Sequence, residues 1–246
     1  MDDNAPAEGK TARRRLPRHV VVRRLLSSYA DPRYLEVGVF RGVTFDRVEA
    51  ATKVAVDPNF QFDPTDPARA RPGVSYHPVT SDEYFGSIVE PGELFDVIFL
   101  DGLHTVEQTL RDLLNALAHL QPQGVILVDD VRPPTYIASL RSHQRFAKVR
   151  AKIGAQENQW MGDVYRLMYF IDTFCQQLTY RTISNNHGQA VIWRKRRPSV
   201  TERTLTEVGQ LTFEEFCLTD DVLRSAPLGR IEPEMRADLG LTRLDR

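Results

Sequence analysis

The sequence predicts an α/β fold: a mostly parallel sheet with helices on both faces and an antiparallel hairpin at its end. Three observations predict it. Short β-prone runs alternate with helix-period runs from residue 34 onward, the pattern of strands joined by crossover helices. Two of the runs, 95–100 and 124–128, are strongly apolar, as strands buried on both faces are. Near the end, two β-prone runs flank Asn185, Asn186, His187 and Gly188, a hairpin signal.

Taken in order, residues 18–29 have apolar residues at helical spacing (Val20, Val21, Leu25, Leu26) and are stopped by Asp31 and Pro32. Residues 34–37 read as the first strand, leading into Gly38 and Gly42, and 43–51 as a helix. Residues 53–57 are the second strand, ended by Pro58, and the proline-rich stretch 59–73 is loop. Residues 74–79 are the third strand, and Ser81 can cap a helix to 89. The fourth strand, 95–100, precedes an amphipathic helix at 105–120 with Leu110, Leu113, Leu114, Leu117 and Leu120 on one side. The fifth strand, 124–128, ends at Asp129 and Asp130. From Pro133 to about Trp160 the pattern is irregular; 163–178 is helical, and 179–184 and 189–194 form the hairpin. Two short helical patterns, 202–211 and 213–223, lie in the charged end of the chain. The expected organisation is a mobile basic arm at 1–16, one domain at 17–197, and a charged helical appendage at 198–246.

Composition narrows the function. The 246 residues are 41% hydrophobic, and 32 Lys+Arg balance 33 Asp+Glu for a net charge of −1. This supports a normal core and argues against a dedicated nucleic-acid or polybasic membrane binder. Two cysteines exclude a disulfide framework. No apolar run reaches membrane-spanning length, and the polar start lacks a secretory pattern. The expectation is a cytoplasmic protein without membrane or nucleic-acid partners; a homo-oligomer is left open.

The most informative early segment is Glu36-Val37-Gly38-Val39-Phe40-Arg41-Gly42, directly after the first strand, where an open α/β sheet meets its ligands. Gly38 and Gly42 permit a tight turn and close approach. The spacing is E-x-G-x-x-x-G, with Glu36 where a dinucleotide site has glycine. A carboxylate there repels pyrophosphate and favours a cationic ligand, such as S-adenosylmethionine (SAM). Asp57 ends the second strand 21 residues further on, placed to accept from ribose hydroxyls. Ser81 and Asp82, after the third strand, could contact adenine or simply cap a helix.

Asp101 ends the fourth strand, and Asp129 and Asp130 end the fifth. Adjacent parallel strands deliver these carboxylates to one edge, where a hard divalent cation such as Mg²⁺ would relieve their repulsion; capping of turns by the same residues is the other reading. His104 stands at the start of the helix after Asp101, as a candidate proton acceptor or an exposed cap. Trp160 could stack on a ring, and Asp163 reads first as a helix cap. His77, His119, His143 and His187 have no such context.

The segments 34–42, 54–57, 95–104 and 124–130 together resemble class I SAM-dependent methyltransferases, closest to the small-molecule O-methyltransferases of the macrocin type, with the metal arrangement that catechol-type enzymes share. The resemblance spans about 31–195, and it departs from the common pattern at Phe40, where a glycine is usual. It implies a seven-stranded Rossmann-like sheet. It implies SAM held by Glu36, Gly38, Gly42, Asp57, Ser81, Asp82 and Asp101, and Mg²⁺ held by Asp101, Asp129 and Asp130. It further implies His104 as the catalytic base and a hydroxyl acceptor with vicinal oxygens, a sugar or natural product. Two rivals stand beside it: a nicotinamide-dependent oxidoreductase, against which Glu36 argues, and a non-catalytic scaffold for a partner or nucleic acid, against which the three aspartates argue.

Overall fold

The computed structural model describes residues 15–242. Its centre is a seven-stranded sheet in the order β3-β2-β1-β4-β5-β7-β6, formed by β1 (Arg33–Val37), β2 (Thr52–Val56), β3 (Val74–His77), β4 (Phe95–Leu100), β5 (Leu120–Val128), β6 (Leu178–Thr182) and β7 (Ala190–Arg194). β1 to β5 pair in parallel, and β7 runs antiparallel to both of its neighbours. This is the mostly parallel sheet with a terminal hairpin that the alternation predicts, in the seven-stranded Rossmann-like arrangement that the resemblance implies.

The period-two alternation of strand side chains divides the interior into two cores. Leu35, Val37, Val54, Val56, Ile98, Leu100, Ile126 and Val128 face one. Tyr34, Ala55, Val97, Phe99, Val125 and Leu127 face the other. The first is covered by α3 (Val106–Ala118), α5 (Arg166–Phe174), α6 (Leu205–Gln210) and α7 (Phe213–Leu218), and the second by α1 (Arg18–Leu26) and α8 (Leu228–Leu239). The first three residues of the 81–89 helix form α2 (Ser81–Glu83), which passes into a π-helical turn, Tyr84–Ile88. Its cap is Thr80, whose hydroxyl accepts from the Glu83 amide, rather than Ser81.

Several expectations are corrected. Residues 43–51 form only a 3₁₀ turn, Phe45–Arg47. The buried Lys53 ammonium donates to the Phe45 and Val48 carbonyls at 2.6 and 2.7 Å, satisfying groups that a helix would pair within itself. Leu114, expected on the apolar side of α3, is exposed. The irregular stretch after Pro133 contains α4 (His143–Ile153), capped by Ser142 and ended by Gly154 in the left-handed conformation. Asp163 does cap a helix, but its carboxylate accepts from the Val106 amide at the start of α3, and from its own helix only through the Arg166 side chain.

The expected boundary near 197 is not marked by a break in packing. Val208, Leu211 and Phe216 belong to the first core, and Leu228, Ile231 and Met235 to the second. Buried Asp172 on α5 receives Arg197 at 2.9 Å, Arg203 at 3.2 Å and Arg224 at 3.0 Å, tying the last segment to the sheet-covering helices. The arm at 1–16 lies outside the described residues except for its end, where the Leu16 amide donates to the Asn185 carbonyl. No helix among the described residues is long and apolar enough to cross a membrane.

Candidate active site

The carboxyl ends of β1, β2 and β4 open into a cleft of about 740 Å³, within the range of small-molecule sites. Its lining includes Gly38, Phe40, Asp57, Ser81, Asp82, Asp101 and His104. Gly38 is required by geometry. Its φ is +86°, and a Cβ there would stand 1.9 Å from the Asp101 carbonyl oxygen. Its amide donates to Val56, while the Asp101 amide donates to Val37, so three strand ends are locked together at this residue. Phe40, where the resembled pattern has glycine, takes the left-handed conformation itself (φ 49°). Asp57 holds that turn: its carboxylate accepts from the Phe40 and Asn59 amides, both at 2.7 Å, leaving further lone pairs toward the cleft.

Two residues expected at the cofactor do not line the cleft. Glu36 is buried beside β1 and accepts from the Tyr34 hydroxyl at 2.6 Å. Burial, reinforced by Asp101, pushes its carboxyl up to about 8, against the lowering effect of the Tyr34 bond. Gly42, at φ +73°, shapes the turn from behind, its amide bonded to Val39. Ser81 and Asp82 do reach the cleft, bridged to α3 by Gln108, with Asp82 also paired to Arg111 at 2.6 Å.

At the other side of the cleft the three aspartates converge. Asp129 and Asp130 are buried, and Asp130 has a left-handed backbone (φ 62°). Arg18, the first residue of α1, reaches all three: its Nε contacts Asp129 and lies 3.7 Å from Asp101, and an Nη lies 3.8 Å from Asp130. His104 Nδ1 is 3.0 Å from one Asp130 oxygen, His187 Nε2 is 3.3 Å from the other, and His104 Nε2 is 3.6 Å from Asp101. Neither Asp130 oxygen receives a hydrogen bond of acceptable angle. His104 Nδ1 faces the Trp160 carbonyl at 3.0 Å, so that nitrogen carries the proton.

Burial, then Asp101 and Asp130, push the Asp129 carboxyl up to about 7. Burial would raise Asp130 as well, but His104 and His187 hold it below the usual carboxylate range. Burial alone would lower His104; Asp101 and Asp130 override it and raise the imidazole to about 11.

These side chains form two overlapping ligand-like clusters, Asp101/His104/Asp130 and Asp129/Asp130/His187, so Asp101 and Asp129 meet through Asp130 rather than as one all-carboxylate set. A void of about 10 Å³ between Asp101, His104, Asp129 and Asp130 is the size of a single small ion or water. Buried carboxylate oxygens without hydrogen-bond donors, beside such a void, fit a divalent cation.

Sequence reasoning missed four participants. Arg18 sits at the start of a segment read only as a helix. His143, at the start of α4, lines the cleft, and His187 comes from the hairpin turn. Only tertiary placement reveals them. Gly162 had a signal, a glycine just after Trp160: its φ is +63°, and a Cβ there would stand 1.8 Å from the His104 carbonyl oxygen. It lets the long connection close on His104, over which Trp160 stacks at 4.8 Å and 18°.

Residues 35–131 match the family model described as a methyltransferase domain. No curated protein matches the sequence. Similar solved structures include a candidate caffeoyl-CoA O-methyltransferase from Staphylococcus aureus, with 15% identity, 73% of this chain and 85% of that chain covered, and a TM-score of 0.49. The O-methyltransferase TomG from Streptomyces achromogenes, involved in tomaymycin synthesis and solved with SAM, has 15% identity, 72% and 77% coverage, and a TM-score of 0.46. An O-methyltransferase from Bacillus cereus in complex with S-adenosylhomocysteine (SAH) has 17% identity, 72% and 78% coverage, and a TM-score of 0.47.

Proposed function

We propose that this chain is a class I SAM-dependent methyltransferase, a reading supported by the methyltransferase-domain match and the sheet order, and that it methylates a hydroxyl of a small molecule with neighbouring oxygens, a sugar or natural product, with help from a divalent cation. One observation carries the reading: a cleft floored by Gly38 and Asp57 reaches Asp101 and His104, and these two residues also border the small void lined by buried Asp129 and Asp130.

Asp57 and Gly38 serve the cofactor, Asp57 through its remaining lone pairs toward ribose hydroxyls and Gly38 by leaving room for close approach. Ser81 and Asp82 stand further along the same wall. Buried Glu36 acts on the cofactor through the turn it underlies rather than by contact. Asp130 would hold the cation together with Asp101 or with Asp129, its partners in the two clusters. When bound, SAM supplies an electrophilic methyl group on sulfonium, and a cation such as Mg²⁺ lowers the acceptor's pKa and fixes its oxygens. Transfer of that methyl to an acceptor hydroxyl would leave a proton that a group of this chain has to take up.

His104 is the group we assign to that proton. With Nδ1 bound to the Trp160 carbonyl, Nε2 is the nitrogen left for proton transfer. Two carboxylates keep the imidazole protonated in the cation-free cluster; an added positive charge opposes them and favours the neutral form that can accept a proton. Trp160, stacked on His104, fixes the ring and shields it from water.

The test is methyl transfer from methyl-labelled SAM to a panel of sugars and catechols, with and without EDTA. The expected result is labelled methyl ether formed with Mg²⁺ and lost on chelation, while SAM binding survives. Transfer to nitrogen or carbon acceptors only, or full activity after exhaustive chelation, would contradict the acceptor or the metal assignment respectively.

A further inference from the structure

Arg18 stands where the cluster's counter-charge has to be. We propose that its guanidinium and a divalent cation are alternative occupants of the same carboxylates, so that metal loading requires the Arg18 side chain to swing out. This rests on the metal reading given above, and it assigns to the chain's own N-terminal helix control over the cation site.

Three features carry the inference. The first is contact: Arg18 reaches Asp101, Asp129 and Asp130 at once, with its closest contact on Asp129. A cation held by these oxygens would stand against a fixed positive charge, and like charges at that range repel strongly. The second is incomplete satisfaction. The guanidinium binds Asp129 but leaves both buried Asp130 oxygens without a hydrogen bond, so the cluster keeps an unused capacity for a ligand that accepts several oxygens.

The third is that exposure within the cluster is greatest at the Arg18 side chain. Asp129 and Asp130 are buried, whereas the Arg18 side chain is 35% exposed and borders the cleft. The helix that carries it is held firmly: Val21, Val22, Leu25 and Leu26 are buried, Arg24 pairs with Glu232 on α8, and the Leu16 amide is bonded to Asn185. The exchange is therefore a rotation of Arg18 toward the cleft, with α1 left in place. In the metal-free protein the arginine keeps the carboxylates together; in the loaded protein it is released beside the bound ligand. The apparent metal affinity is lowered by the cost of displacing it.

The test is Mn²⁺ binding to the full chain, followed by calorimetry and by the electron paramagnetic resonance of free Mn²⁺, in the wild type, Arg18→Gln and Arg18→Lys. Losing a charge-assisted contact to a buried carboxylate is expected to tighten Mn²⁺ binding by about 10- to 100-fold in Arg18→Gln. Arg18→Lys, which keeps a charge but not the planar fork, falls between, and it serves as the second variant should the glutamine substitution unfold the protein. Equal affinity in all three proteins overturns the shared-site proposal and leaves the metal assignment standing. Weaker binding in Arg18→Gln also overturns it, since Arg18 would then support the site. No Mn²⁺ binding at millimolar concentration in any of them removes the metal assignment and this proposal together.

Discussion

Replacing Gly38 by alanine probes the floor of the cleft without touching any charged group. The new Cβ would lie 1.9 Å from the Asp101 carbonyl oxygen and 2.3 Å from its carbon. To regain a 3.0 Å separation, the ends of β1 and β4 must part by about 1.1 Å. Both are held by backbone hydrogen bonds, Gly38 to Val56 at 2.9 Å and Asp101 to Val37 at 2.8 Å, so neither yields freely. Left-handed backbone in a non-glycine residue costs roughly 1–2 kcal/mol, and overpacking of a tight site adds about 1–3 kcal/mol. The sum corresponds to a fall in melting temperature of roughly 5–15 °C for a chain of this size. SAM affinity, measured by calorimetry on the folded variant, should fall by at least about 100-fold, because a shift of about 1 Å disrupts an oriented site. Gly86, whose added Cβ would meet nothing within 4 Å, is the control: Gly86→Ala should leave both quantities near wild type. Wild-type SAM affinity and melting temperature in Gly38→Ala would refute the argument that strand-end contact shapes this cleft.

Asp57→Ala should weaken SAM binding by about 1–3 kcal/mol, the worth of a charged hydrogen bond, and unchanged affinity by calorimetry would remove Asp57 from the cofactor site. His104→Gln should lower kcat by roughly 10²–10⁴ with SAM affinity intact; a near-wild-type kcat would reduce His104 to a positioning group. The same residue has a stability signature in EDTA. Its pKa is raised on folding from 6.5 to about 11, so its contribution is complete below about pH 6.5 and is lost as the pH rises toward 11. Urea unfolding should therefore show a larger loss of stability between pH 6 and pH 10 in the wild type than in His104→Gln; parallel losses would contradict the assignment. Asp172→Ala should destabilise the protein by about 3–5 kcal/mol, because it strands the buried Arg197 and frees Arg203 and Arg224; a shift below about 1 kcal/mol in denaturant unfolding would mean that the C-terminal segment is held by other contacts.

Much of this architecture was legible because it is governed by local period. The apolar runs of β4 and β5 state their burial directly in the residue order, and the leucine spacing of α3 marks its packed face except at exposed Leu114. The cleft edge was legible for a related reason: parallel strands must deliver Gly38, Asp57, Asp101 and Asp129 to one side. What escaped depends on side chains meeting across the fold. No periodicity reveals that Lys53 would hold the 45–48 turn out of a helix, or that Glu36 would turn toward Tyr34 and away from the cleft. Residues 228–239 were not read as a helix, yet α8 forms there with Pro233 inside it, and its Leu228, Ile231 and Met235 face the second core. Ser142 and Gly154 were readable as the two ends of α4, but the intervening run, rich in Arg and Lys, has little apolar stripe to announce it. Arg18 was least legible of all, since a single arginine at the start of a helix carries no mark of the three aspartates it meets from 83 to 112 residues away.

The most direct measurement of the central claim is a crystal structure with SAH and Mn²⁺, with data collected at the manganese absorption edge. SAH should lie in the cleft with its ribose against Asp57 and its sulfur toward Asp101. An anomalous peak should stand beside Asp130, against Asp101 or Asp129, with the Arg18 side chain withdrawn. SAH bound elsewhere would contradict the cofactor site, and a cluster without a peak, still filled by Arg18 at saturating Mn²⁺, would contradict the metal-assisted transfer.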